Sequence, residues 1–298
     1  MYRQILVPLD GSKTAENVLP YARFVTATLK IPAQLISVVE TPVSTNAEKA
    51  LYLDSLIERA VATSQEYLSR VAKTFVGVNV TITVEKGNPE EVILATAEAD
   101  VDILIAMATH GRSGMSRWLL GSIAEKIVRE AQNPVFLVRA QDNANTGAQA
   151  TLNSIIVPLD GSKLAESVLP TVIELATVMK VKVVLLQTFS LKQIIYSYEN
   201  YLPDSAALQR ASKSGATRYL ESKEQQLKNA GLEVLSVVAE GEAAETIIEL
   251  AKGSPDSLIA MCTHGRSGVK RWILGSITEK VVRHAEDPVL AIRAKGEP

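Results

Sequence analysis

The chain has 298 residues, 47 % of them hydrophobic, with a formal charge of −2 and a pI near 6.0. That is enough apolar material for two ordinary cores, and there is no basic surplus to bind a nucleic-acid backbone or an anionic membrane. A single cysteine, Cys262, excludes an internal disulfide framework and a cysteine-rich zinc site and fits a reducing compartment. The opening MYRQILVPLD runs straight into a strand, without the apolar segment of a signal peptide or membrane span, so a soluble cytoplasmic protein is expected.

Short Val- and Ile-rich runs predict strands at about 4–9, 33–39, 78–84, 101–107 and 134–138. Helical stretches separate them at 13–28, 47–75, 89–99 and 121–131. The small, polar segment 141–151, beginning QDNANTGAQA, reads as a linker between domains 1–140 and 152–298. The order then repeats, with strands near 153–159, 181–188, 232–238, 256–261 and 288–292. The matching helices lie near 163–178, 204–230, 243–252 and 275–285. Strand alternating with helix predicts an α/β fold of two repeated doubly wound domains, each a five-stranded parallel sheet flanked by helices. In that class the chain reverses direction between strands 1 and 4, leaving a crevice at their carboxyl ends.

The two halves agree best at two loops. ILVPLDGSKTAENVLP, from Ile5, matches IIVPLDGSKLAESVLP, from Ile155, at 13 of 16 positions. Residues 106–140 match 260–294 at 23 of 35, and between these blocks the copies barely resemble each other. Both blocks follow strands 1 and 4, at the expected crevice.

The loop after strand 4 reads Ala108-Thr109-His110-Gly111-Arg112-Ser113-Gly114 and reaches Gly121-Ser122-Ile123-Ala124. Its second copy reads Cys262-Thr263-His264-Gly265-Arg266-Ser267-Gly268 and reaches Gly275-Ser276-Ile277-Thr278. Glycines let backbone amides approach an anion, and the helix beginning at Gly-Ser offers unpaired amides and a positive dipole end, so the loop reads as a phosphate site. Ser122 or Ser276 can cap that helix, with Glu125 or Glu279 completing a capping box, and such a cap also occurs without any ligand. Asp10 and Asp160 either accept hydrogen bonds from a ribose diol or cap the helix beginning near Lys13 or Lys163. His110 and His264 read as ligand contacts or as satisfied polar loop residues rather than as acid–base catalysts. Arg112, Arg117, Arg266 and Arg271 either screen a polyphosphate or are solvated surface residues. Trp118 and Trp272 read as structural, and Cys262 as a small buried residue.

No P-loop, nucleophile elbow or zinc-hydrolase pattern is present in the sequence. One Asp and one His per crevice do not make up a nucleophile, its base and an oxyanion site, so binding is better supported than turnover.

PLDGS, THGRSG, the GS-I-x-E-K helix opening and the final PV-containing strand ending in Arg together resemble the universal stress protein family in its tandem two-domain form. The resemblance implies a Rossmann-like, adenine nucleotide alpha-hydrolase-like fold paired as an internal pseudo-dimer through the strands at 134–138 and 288–292, with a further homodimer open. It also implies a stress-response protein that binds ATP with Mg²⁺, and regulatory binding rather than efficient catalysis. A slow Mg-dependent ATP hydrolase or phosphotransferase, and a nucleotide-free interaction module, are the alternatives, with a redox or adenine-chemistry enzyme more distant. No protein metal ligand is implied.

By the resemblance, Asp10 and Asp160 face ribose and adenine, the backbone at Val38 and Thr188 meets the adenine edge, and the Gly111 and Gly265 loops hold the phosphates. Pro8, Met107, Pro158 and Met261 complete the expected lining. The family's G-x-x-G, nine residues, G-[ST] pattern keeps its spacing here, but Ala108 and Cys262 replace its first glycine, which narrows the site, more so in the second copy. The divergent segments 41–75 and 189–230, which include Tyr52, Tyr196, Tyr198 and Tyr201, read as a variable surface helix or as a lid or partner surface.

Overall fold

The computed structural model describes residues 1–41, 47–110, 120–140, 146–190, 205–263 and 274–294, and at 47–52 and 205 the backbone alone. The chain divides into two units, Met1–Thr151 and Leu152–Pro298.

In the first unit the elements are β1 (Gln4–Pro8), α1 (Leu19–Leu29), β2 (Ala33–Val39), α2 (Ala47–Ala72), β3 (Val80–Lys86), α3 (Pro89–Glu98), β4 (Ile103–Ala108), α4 (Ser122–Glu130) and β5 (Val135–Val138). The strands are ordered β3-β2-β1-β4-β5, and every pairing is parallel. This is the doubly wound arrangement, with the switch between β1 and β4.

The second unit repeats it with β6 (Ser154–Pro158), α5 (Lys163–Glu166), α6 (Leu169–Met179), β7 (Lys182–Phe189), α7 (Ser205–Asn229), β8 (Val234–Glu240), α8 (Ala243–Lys252), β9 (Ser257–Cys262), α9 (Ser276–His284) and β10 (Val289–Ile292). Its order is β8-β7-β6-β9-β10, again all parallel.

The central strands are apolar on both faces because helices cover both. Ile5, Leu6 and Val7 of β1, and Ile155, Ile156 and Val157 of β6, are fully buried. Burying one such side chain contributes roughly 1.5–3 kcal/mol, which is why these runs read as continuous rather than alternating.

Each single helix expected at 13–28 and 163–178 is in fact two pieces. A 3₁₀ turn, Ala15–Val18, precedes α1, and the short α5 precedes α6. Pro20 and Pro170 sit in the first turn of the second piece, where a missing N–H costs nothing and a fresh helix start is favoured.

Part of the expected linker lies against α1, where the Arg23 guanidinium donates to the carbonyls of Thr146 (2.5 Å) and Ala148 (3.0 Å). Residues 141–145 lie outside the described residues. Among the described residues no helix is long and apolar enough to cross a membrane.

Candidate functional site

The turn after β1 is built around an aspartate that holds a serine. Gly11 takes φ 83°, a conformation available to glycine without a Cβ penalty, and this brings Ser12 back over Asp10. The Asp10 carboxylate oxygen Oδ1 accepts from the Ser12 amide at 2.9 Å and from its hydroxyl at 2.6 Å. The Ser12 Oγ in turn accepts from the Ala15 amide at 3.0 Å. After β6 the arrangement is the same: Asp160 Oδ1 accepts from the Ser162 amide (2.9 Å) and hydroxyl (2.6 Å), and Ser162 Oγ accepts from the Ala165 amide (3.1 Å). The capping alternative for Asp10 and Asp160 is thereby corrected. In the second unit Ser162 is the N-cap of α5 and Asp160 orients it, and in the first Ser12 makes the same contacts ahead of the 3₁₀ turn, whose own N-cap Thr14 has no side-chain cap.

The loop after β4 is closed at its two ends. The Gly121 amide donates to the Thr109 carbonyl at 2.8 Å, and in the second unit Gly275 donates to Thr263 at the same distance. A Cβ on Gly121 would stand 3.1 Å from that Thr109 carbonyl oxygen and 3.5 Å from His110 Cα, so any side chain here crowds the loop's closing backbone.

Gly121 and Gly275 occupy the N-cap positions of α4 and α9 with no side-chain cap. Ser122 and Ser276 therefore do not cap, contrary to expectation, because they already lie inside the first turn. The capping box is absent as well: Glu125 pairs with Arg129, and Glu279 with Arg283 at 2.7 Å.

The first intrahelical bond runs from the Glu125 amide to the Gly121 carbonyl (2.8 Å), and from Glu279 to Gly275 (2.8 Å). The amides of Ser122, Ile123 and Ala124, and of Ser276, Ile277 and Thr278, consequently have no acceptor within their helices, and each set points from the positive end of a nine-residue helix.

In the second unit these features border one cavity of about 510 Å³, within the usual size of small-molecule sites, roughly 300–1,000 Å³. Asp160 and Pro158 line it from β6 and its turn, Thr188 from β7, and Met261 and Cys262 from β9. Gly275, Ser276, Ile277 and Thr278 line it from the start of α9. Because β6 lies between β7 and β9, the cavity crosses the sheet's carboxyl edge at the switch point.

Cys262 is buried within the wall, 3.7 Å from the Ser167 hydroxyl, and its carbonyl accepts from the buried Thr278 hydroxyl at 2.9 Å. The first unit has Ala108 and Ala124 at these two places, both buried. There, Pro8, Met107 and Ala108 end β1 and β4, Asp10 follows β1, Val38 sits near the end of β2, and Gly121–Ala124 open α4.

His110 stands at the start of the loop, with Nδ1 3.1 Å from the Thr109 hydroxyl. Its Nε2 is buried with no partner among the described residues. Burial, and then the Arg139 charge, hold its pKa below the ordinary histidine value, so the imidazole is neutral near pH 7. Gly111, Arg112, Gly114, Arg117 and Trp118 lie outside the described residues, as do His264, Gly265, Arg266, Gly268, Arg271 and Trp272.

One pair of contacts was not anticipated. The Tyr219 hydroxyl on α7 donates to Glu166 Oε1 at 2.9 Å, and Lys223 pairs with Glu166 Oε2 at 2.7 Å while lying 5.6 Å from the Tyr219 ring centre. Burial first, then Glu166, push the tyrosine pKa well above its usual value, so it remains a donor. In the first unit Tyr67 on α2 faces Glu16 and Asp10 and is shifted the same way, although its buried hydroxyl meets no hydrogen-bond geometry there. Each long helix thus anchors a tyrosine beside the aspartate turn. The tyrosines escaped notice because the helices carrying them diverge between the copies.

The universal stress protein family model matches this chain twice, over residues 1–139 and 151–293. The chain belongs to the universal stress protein family. It is similar along 98 % of its length to a universal stress protein of Mycolicibacterium smegmatis, at 22 % identity and 97 % of that relative. Over 143 residues it is 32 % identical to universal stress protein MJ0531 of Methanocaldococcus jannaschii, covering 47 % of this chain and 83 % of that one. The crystal structure of a universal stress protein from Archaeoglobus fulgidus shares the fold across 99 % of both chains, with a TM-score of 0.71 at 18 % identity. Two family repeats in succession account for the duplicated strand order and for the duplicated aspartate and glycine turns.

Proposed function

We propose that this universal stress protein binds ATP in the crevice at the carboxyl ends of the first and fourth strands of one or both units, and that it acts by binding rather than by efficient turnover. The observation that carries the reading is the 510 Å³ cavity of the second unit, which joins Asp160, Thr188 and the open amides of α9 in one space. The amides of Ser276, Ile277 and Thr278 are suited to phosphate oxygens, Asp160 to a ribose diol, and the Thr188 backbone to the base edge. The first unit has the same turn and the same open amides at Asp10 and at Ser122, Ile123 and Ala124, with Val38 in place of Thr188.

Among the described residues no three His, Cys, Asp or Glu side chains cluster as metal ligands. A magnesium ion would therefore be held chiefly through the phosphates. Cys262 narrows the second site without filling it, which favours binding over the nucleotide-free reading.

The test is to purify the protein without added nucleotide, denature it, and identify what is released. ATP or ADP near one or two per chain supports the reading. An empty protein that also takes up no ATP in calorimetric titration refutes it.

A further inference from the structure

One side of α7 both walls the second unit's cavity and grips the turn that carries Asp160. Ser212 and Ala216 line the cavity, and Tyr219 and Lys223, further along the helix, both bind Glu166. The four positions follow one another at steps of four, three and four residues, which keeps them on one face of a helix. Both Glu166 carboxylate oxygens are engaged from this face: Oε1 accepts from the Tyr219 hydroxyl at 2.9 Å and Oε2 from the Lys223 ammonium at 2.7 Å. The lysine and glutamate side chains are only 19 % and 25 % exposed, so salt screens this pair less than a surface one.

Glu166 is the last residue of α5, a single turn capped by Ser162. Its amide donates to the Ser162 carbonyl at 3.1 Å, and Ser162 is itself held by Asp160 Oδ1. The Tyr219 hydroxyl also lies close enough to this turn for the Asp160 carboxylate to raise its pKa and the Gly161 backbone to lower it. The grip on Glu166 therefore joins the α7 wall to the turn that presents Asp160 to the same cavity. A carboxylate already fixed in place costs a ligand less to engage than one that must be ordered on binding. In the first unit Tyr67-Leu68 on α2 matches Tyr219-Leu220 on α7, with both leucines fully buried, but four residues past the tyrosine Val71 stands where the second unit has Lys223. No ammonium comes from that position to Glu16.

We propose that Tyr219 is a positioning residue of the second site: with Lys223 it fixes the Glu166 carboxylate, and through α5 it holds Asp160 in the orientation that accepts from a ribose diol. This rests on the nucleotide reading above and deepens it by naming the part of the ligand that the grip serves. The phosphates, taken by the amides of α9, do not depend on it.

The test uses the full chain and 8-azido-ATP photolabelling, with label quantified by mass spectrometry on peptides of residues 152–298 so that the second site alone is read. ATP and 2′,3′-dideoxy-ATP, which lacks the diol, compete for protection. In the wild type ATP is expected to protect at about tenfold lower concentration, the scale of a hydrogen bond to a charged acceptor. Tyr219→Phe is expected to weaken protection by ATP about three- to tenfold and to leave dideoxy-ATP within about twofold, so that the preference for the diol is largely lost. Glu166→Ala, which keeps the tyrosine and removes its acceptor, should show the same selective loss. A merely structural role for Tyr219 would weaken both nucleotides together. No preference for ATP in the wild type, or an equal loss of both nucleotides or no loss in either folded variant, overturns the proposal while leaving nucleotide binding standing. No ATP-protected label on these peptides in the wild type overturns the nucleotide reading of the second unit and the proposal with it.

Discussion

Replacing Ser162 by alanine tests the aspartate turn most sharply, because one hydroxyl holds two contacts. Its Oγ accepts from the Ala165 amide at 3.1 Å and donates to Asp160 Oδ1 at 2.6 Å. Loss of a serine N-cap costs about 1 kcal/mol. A hydrogen bond to a charged carboxylate adds about 1.5–3 kcal/mol when dry, and this turn is only half-buried, so about 0.5–1 kcal/mol is the appropriate share. The sum is about 1.5–2 kcal/mol, or about 3–8 °C in Tm for a unit of this size. Urea and calorimetric unfolding of Ser162→Ala measure the loss. Ser162→Thr, which keeps the hydroxyl, should recover most of it. ATP affinity in the second unit should fall with the alanine and return with the threonine, since Asp160 loses the group that orients it. A Ser162→Ala protein within about 0.5 kcal/mol of wild type, or a threonine variant as unstable as the alanine one, would refute this account of the turn.

Further outcomes follow from other contacts. Gly121→Ala places a methyl 3.1 Å from the Thr109 carbonyl oxygen. It should cost roughly 1–3 kcal/mol by overpacking and reduce ATP uptake in the first unit, measured by denaturation and by stoichiometry. Tyr219→Phe removes the donor to Glu166 and should cost about 0.5–1.5 kcal/mol, with the urea midpoint as readout. His110 has its folded pKa below 6.5 through burial and Arg139, so the unfolded chain binds its proton more readily. Its contribution to stability is present above about pH 6.5 and is lost as the pH falls from there through the folded pKa. Histidine ring NMR should show the depressed value, and His110→Gln should flatten this limb of the pH–stability curve.

The strands were readable because buried parallel strands must be apolar on both faces, as ILVP, IIVP, ILIAMA and SLIAMC are, whereas their order was taken from the doubly wound class that the alternation of strand and helix points to. The duplicated loops were readable because both copies kept them. The break before α1 and α6 was missed although Pro20 and Pro170 marked it, since a continuous helical pattern ran through both. Whether Asp160 or Ser162 capped the following helix was not decidable from residue type, as both are good caps; it depended on Gly161 turning the chain. The same holds at Gly121-Ser122, where the Thr109 carbonyl binds the Gly121 amide and leaves the serine inside the helix. Tyr67 and Tyr219 were invisible for another reason. Their importance comes from contacts across tens of residues, between segments that differ in the two copies.

The most direct measurement is equilibrium dialysis of the nucleotide-free full chain against labelled ATP, comparing wild type with a protein carrying both Gly121→Val and Gly275→Val. Saturable uptake of about one to two ATP per chain, lost in the double variant while its circular dichroism is retained, is the predicted result. No saturable uptake by the wild type, or uptake unchanged in a folded double variant, would contradict the assignment of the crevices as nucleotide sites.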